Sequence, residues 1–188
     1  MLKQLCALLA LITIASCKPK ESKPLPDASK GTYFSIKQFV KDQWDIHNGQ
    51  PYGLTRVVTL NGEQDSTMTT AYEMAWGPLF KMFFDTDISD PKYLGQYDFS
   101  MFEDDATYTM NYYYEAKDPK LFTRKLHIST DATNNKVRSI YIETQKNGKW
   151  SDKNQKLFYM PLKVISVQEF EKSLIGSGKE LRIEYRFL

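Results

Sequence analysis

Near its end the chain alternates without a break: Leu181, Ile183, Tyr185 and Phe187 fall on one side, Glu180, Arg182, Glu184 and Arg186 on the other. A period of two belongs to a strand with one face on a core and one in water. Ile183 and Tyr185 are therefore expected to be buried, and Arg182 and Glu184 exposed. The same signal recurs upstream, where Tyr108, Met110, Tyr112 and Tyr114 alternate with Thr107, Thr109, Asn111 and Tyr113. Shorter apolar runs at 126–128, 140–142 and 157–159 are separated by turn-forming residues at 131–135 and at Asn147-Gly148. Residues 54–60 read as a strand that turns at Asn61-Gly62 into a second one ending near Thr70.

Two segments carry the helical period instead. Ser35-Ile36-Lys37-Gln38 is a capping-box pattern, and Ile36, Phe39, Val40 and Trp44 recur on one helical face. Phe34 and Phe39 are placed to form a hydrophobic staple, and Asn48-Gly49 supplies a stop. The pattern predicts a second helix over 71–84, weakened by Gly77-Pro78, with Trp76, Leu79, Phe80 and Phe83 as its core stripe. Successive short-turn hairpins after two helices predict an α+β fold. We expect a curved antiparallel meander of about eight strands, shaped as a half-barrel, with two helices packed on one face. No internal repeat, doubly wound alternation or Gly-rich phosphate loop is present, which argues against a nucleotide fold.

The first residues change the picture from fold to address. Met1-Leu2-Lys3 leads into an apolar run from 5 to 14 that closes on Ile14-Ala15-Ser16-Cys17. A charged start, a short apolar core and small residues before a cysteine have the grammar of a cleaved signal. The run is too short for a transmembrane helix of about 20 residues. Residues 18–31 bring Pro19, Pro24 and Pro26 among charged and small residues, the composition of an extended tether. At about 3.1 Å per residue such a tether reaches roughly 40 Å. The expected organisation is a signal peptide over 1–16, a cysteine and Pro-rich tether over 17–31, and one α+β domain over 32–188.

Ile14-Ala15-Ser16-Cys17 resembles the lipobox of bacterial lipoproteins, which implies a lipidated Cys17 at the start of a mature chain of 172 residues. Two or more acyl chains hold a protein stably on a membrane. Lys18, where many retained inner-membrane lipoproteins carry Asp, looks like an outer-membrane sorting signal. Phe84-Asp85-Thr86-Asp87-Ile88-Ser89-Asp90-Pro91, followed by Gly95-Gln96-Tyr97, resembles a block of uncharacterised bacterial envelope lipoproteins. Their aromatic-rich helix runs into Asp-Ile-x-x-Pro after a Leu-Asn-Gly hairpin like Leu60-Asn61-Gly62; this chain has Ala71-Tyr72 where the usual block has Asp-Trp. The resemblance covers most of 33–187 and implies location and architecture without an activity. The half-open barrel of lipoprotein carriers is a fold-level analogy.

Composition then removes whole classes of chemistry. With Cys6 in the signal and Cys17 lipidated, no cysteine remains for a disulfide, a thiol nucleophile or a zinc site. Without Lys3 the 25 basic residues become 24, against 23 acidic ones, which gives no support for nucleic-acid binding. His47 and His127 cannot make a three-histidine zinc site. The first reads as a helix-end residue, and the second shares the register of Lys125 and Ser129 and so is expected in solvent. No Gly-x-Ser-x-Gly occurs, and Gly176-Ser177-Gly178 reads as a turn. The acids at 85, 87 and 90 miss an EF-hand pattern at its sixth and twelfth positions, where Asp90 and Gln96 stand. Asp87 reads instead as a cap or turn organiser, and Glu103-Asp104-Asp105 as a turn.

Aromatic residues are the remaining candidates, at 14% of the chain with 12 Tyr and 11 Phe. Tyr113 and Tyr141 fall on predicted non-core faces and are the candidate ligand contacts. No catalytic, cofactor or metal residue is assigned. The expectation is a non-enzymatic, lipid-anchored envelope lipoprotein on the periplasmic face of the outer membrane, a binding or envelope-maintenance module. Its partners would be the membrane, through Cys17, and a hydrophobic ligand or envelope protein. A carrier that shields an acyl chain between sheet and helices is the alternative, and an envelope hydrolase a further one.

Overall fold

The computed structural model describes residues 31–174 and 178–188. Cys17, the rest of residues 1–30, and Gly176-Ser177 lie outside the described residues. Within them the chain forms helix α1 (Ile36–His47), strands β1 (Gly53–Leu60) and β2 (Glu63–Thr70), and helix α2 (Trp76–Phe84). A single 3-10 turn (Pro91–Tyr93) precedes β3 (Tyr97–Asp104), β4 (Thr109–Ala116), β5 (Thr123–Asp131) and β6 (Val137–Asn147). β7 (Ser151–Met160), β8 (Val164–Ser173) and β9 (Lys179–Phe187) complete the chain.

All nine strands join one curved, unclosed antiparallel sheet in the order β2-β1-β9-β8-β7-β6-β5-β4-β3. Seven strands from β3 to β9 follow one another as a meander, and the N-terminal hairpin adds to its far side through β1 against β9. That hairpin turns through Asn61 and Gly62, both at positive φ (50° and 93°), the left-handed pair a two-residue turn requires. The α+β meander is thus as expected, with nine strands where about eight were anticipated.

Register decides which residues meet the helices. Leu126, Ile142, Leu157 and Val167 are direct cross-strand neighbours from β5 to β8, and Ile128, Ile140, Tyr159 and Ile165 form a second such row. All eight are buried, and Ile36 and Val40 of α1 with Leu79 and Phe83 of α2 join them in one core. Phe39 and Phe83 each meet the Tyr159 ring edge-on, at 5.7 and 6.0 Å between centroids. This geometry favours the ring quadrupoles as well as the area buried. The staple forms too, with Phe34 and Phe39 centroids 6.0 Å apart.

Two boundaries and one strand depart from the sequence reading. α2 begins at Trp76 rather than residue 71, because Glu73 turns the preceding segment by accepting hydrogen bonds from Thr69 Oγ1 and the Thr70 amide. Gly77-Pro78 then falls in the first helical turn, where proline's missing N–H costs nothing. Tyr108 is outside β4, at φ 51° in the turn before it, and its side chain is exposed. In β9 the alternation holds but its burial is modified: Ile183 and Tyr185 are half-buried, Arg182 is exposed, and Glu184 is only 7% exposed. Two arginines at i−2 and i+2 on the same face cover Glu184.

Candidate functional site

The face of the sheet opposite the helices carries the aromatic residues singled out in the sequence. Tyr113 stands directly opposite His127, His127 opposite Tyr141, Tyr141 opposite Phe158, Phe158 opposite Ser166, and Ser166 opposite Glu184. The row thus crosses six strands, and at about 4.8 Å per strand it runs roughly 24 Å. Tyr113 and Tyr141 are both half-buried and lie two strands apart, with His127 between them.

His127 is half-buried, and not exposed as Lys125 is. Its ring stacks on Tyr113 with centroids 4.1 Å apart and planes within 8°, and Phe102 stacks on Tyr113's other side at 5.5 Å. Nε2 lies 3.0 Å from Asn111 Oδ1, and burial pushes the imidazole pKa below its ordinary value. Tyr113 has a ring stacked on each side. The stack ties β3, β4 and β5 together on this face, and Phe102 at its end remains 51% exposed. Tyr141 differs: its hydroxyl donates to Glu143 Oε1 at 2.6 Å, and burial followed by that bond holds the phenol well above its usual range. It is a neutral polar group beside an open depression.

That depression, of about 700 Å³, is the larger feature of the face. Phe158, Val164 and Leu162 supply its apolar lining, and Lys156, Lys163, Arg182 and Arg186 its charge. Glu184 sits beneath, accepting from Arg182 Nη2 at 2.5 Å and from Arg186 Nε. Burial works against the charge of this carboxyl, but the two guanidinium bonds outweigh it and hold the pKa below the ordinary value. The alternation along the sequence places Arg182 and Arg186 on the solvated side of β9. The detectable signal was an acid flanked at i−2 and i+2 by arginine, which places three charges on one strand face.

A smaller cavity of about 170 Å³ lies on the helix side, lined by Trp44, Trp76, Phe80, Tyr52, Phe187 and the ring of His47 among others. His47 ends α1 as expected and its Nδ1 lies 3.1 Å from Tyr52 Oη. Tyr72 donates to the Gly49 carbonyl at 2.8 Å and Trp76 Nε1 to the Ala71 carbonyl at 2.7 Å. Leu162 and Phe187 line both hollows.

The acidic clusters have structural work. Asp87 bonds to Ser35, Lys37 and Ser89; Asp90 caps the 3-10 turn through the Lys92 amide; Asp85 pairs with Lys81. Asp104 accepts from the Ala106 amide and Thr107 Oγ1 within its turn. Among the described residues no three His, Cys, Asp or Glu side chains gather to hold a metal ion, and no helix is long and apolar enough to cross a membrane. Compared with known proteins, the chain matches no family model, no curated protein and no solved structure.

Proposed function

We propose that the protein is a lipid-anchored lipoprotein of the outer membrane, held at the periplasmic face through Cys17, and that it works without catalysis as a binding module. The observation that carries the binding reading is the 700 Å³ depression beside Tyr141 on the helix-free face, where apolar and cationic side chains converge. Sites for small ligands occupy about 300–1,000 Å³. The carrier alternative would draw on the space between sheet and helices. That layer is filled by the core, and the 170 Å³ hollow at its end suits a single ring better than an acyl chain. Hydrolysis has less to draw on, since the partner of His127 Nε2 is the Asn111 amide and not a nucleophile or carboxylate.

Two measurements test this. Radiolabelled palmitate should enter the wild-type chain and not Cys17→Ala; label persisting in the variant would defeat the lipoprotein assignment. A photo-crosslinking residue placed at Tyr141 should capture an envelope component in cells, while the same residue at Lys41, exposed on α1, should not. Equal capture from both positions would remove the open face as the binding surface.

A further inference from the structure

The hollow on the helix-free face combines two features that select a ligand class. Its lining contains four cationic side chains and, among the described residues, the single carboxylate of Glu184. Glu184 is already covered by Arg182 and Arg186, whose side chains remain 51% and 60% exposed. Each guanidinium has five N–H donors, so both retain donors directed elsewhere. Lys156 and Lys163 are exposed and form no ion pair among the described residues. The surplus of positive charge faces an apolar lining of Phe158, Val164 and Leu162, the last presented from the β7–β8 turn at φ 52°.

We propose that this hollow binds one molecule of a single-chain amphipathic anion, an alkyl phosphate or carboxylate. The head is drawn by the field of Lys156, Lys163, Arg182 and Arg186, and the chain lies on Phe158, Val164 and Leu162. The inference rests on the binding-module reading and names its ligand. Charge complementarity chooses the anion, since Glu184, the one carboxylate in the lining, is already paired with two arginines, and Glu143 beside it takes the Tyr141 hydroxyl. Apolar contact rewards a chain over a bare anion.

The test uses the full chain carrying Cys17→Ala, titrated by calorimetry with dodecyl phosphate below its micellar concentration. One molecule per chain is expected to bind, with inorganic phosphate and dodecyltrimethylammonium each weaker by about tenfold or more. Lys156→Gln combined with Lys163→Gln should weaken dodecyl phosphate by about tenfold while the melting temperature stays unchanged, as both side chains are exposed. Added salt should weaken the wild-type interaction. Equal binding of the trimethylammonium compound, or unchanged binding by the double variant, overturns the proposal. So does binding to phosphatidylglycerol vesicles without binding to the monomeric amphiphile, which would make the face a bilayer contact. If dodecyl phosphate fails while the Tyr141 crosslink persists, the ligand class is wrong and the binding module stands; loss of both removes both.

Discussion

Asp87 accepts a hydrogen bond from the Ser35 hydroxyl at 2.7 Å, so a carboxylate from the loop after α2 closes the N-terminus of α1 from 52 residues away. The same oxygen takes the Lys37 amide at 2.9 Å, while Ser35 Oγ takes the Gln38 amide at 3.1 Å. Asp87 Oδ1 holds the Ser89 amide at 2.8 Å. One side chain thus satisfies an orphan helix amide, places negative charge at the positive end of the dipole and fixes its own loop.

Asp87→Ala should therefore destabilise the fold by about 1–2 kcal/mol, the upper range for losing a cap. Asp105→Ala, an exposed turn residue, should cost less than about 0.5 kcal/mol. Urea denaturation checks the pair. Equal losses would show that the link between α1 and the loop carries no weight.

Burial across the sheet predicts a gradient in the cost of truncation. Leu157 is fully buried at the centre of its row, and Leu157→Ala should cost about 2–5 kcal/mol. Ile183 is half-buried near the margin of the helix-covered face, so Ile183→Ala should fall below about 2 kcal/mol. The reverse order in denaturation midpoints would mean that the helices lie over β9 and not over the middle strands.

Glu184 makes stability depend on acid. Its folded carboxyl titrates below its ordinary 4.5, so the unfolded chain takes up the proton first as pH falls. The contribution is complete above the unfolded value and is lost as pH drops through the folded one. Wild-type protein should lose more stability between about pH 5 and pH 3 than Glu184→Gln, whose side chain does not titrate. Parallel curves for the two would show that the arginine pair gives the carboxylate no preference.

His127 should titrate below its ordinary 6.5 in a proton NMR series, since burial disfavours the imidazolium. Between its folded and unfolded values the unfolded chain holds more protons, so this group lowers stability as pH falls from neutral. His127→Phe, which keeps a ring against Tyr113, should remove that dependence. Tyr113→Ala should cost about 0.5–1.5 kcal/mol beyond its lost area, because one ring leaves a three-ring stack. A midpoint at or above 6.5 would contradict the packing of the histidine.

Strands and helices were legible in the sequence because their causes are local. The alternation ending in Phe187, the Asn61-Gly62 turn and Ser35 as a cap each depend on residues within a few positions of one another. The capping-box reading was half right: Ser35 caps as its position implies, whereas the Gln38 side chain turns to Asp42 and leaves the return bond unmade. Asp87's partners, by contrast, lie 50 and 52 residues away, and no period or motif encodes that distance. Tyr113 and Tyr141 could be assigned to the non-core face from alternation alone. That they share one row with His127, and that His127 is a stacked and half-buried ring, followed only from strand register. The hollow beside Tyr141 is more remote still from the sequence, because Lys156, Lys163, Arg182 and Arg186 reach it from β7, the β7–β8 turn and β9. Sequence alone determined the pattern of faces, since each residue's side of a strand is set by its neighbours. Tertiary structure decided which polar residues converge, since that depends on the order in which β1 and β9 joined the sheet and on how the sheet curved.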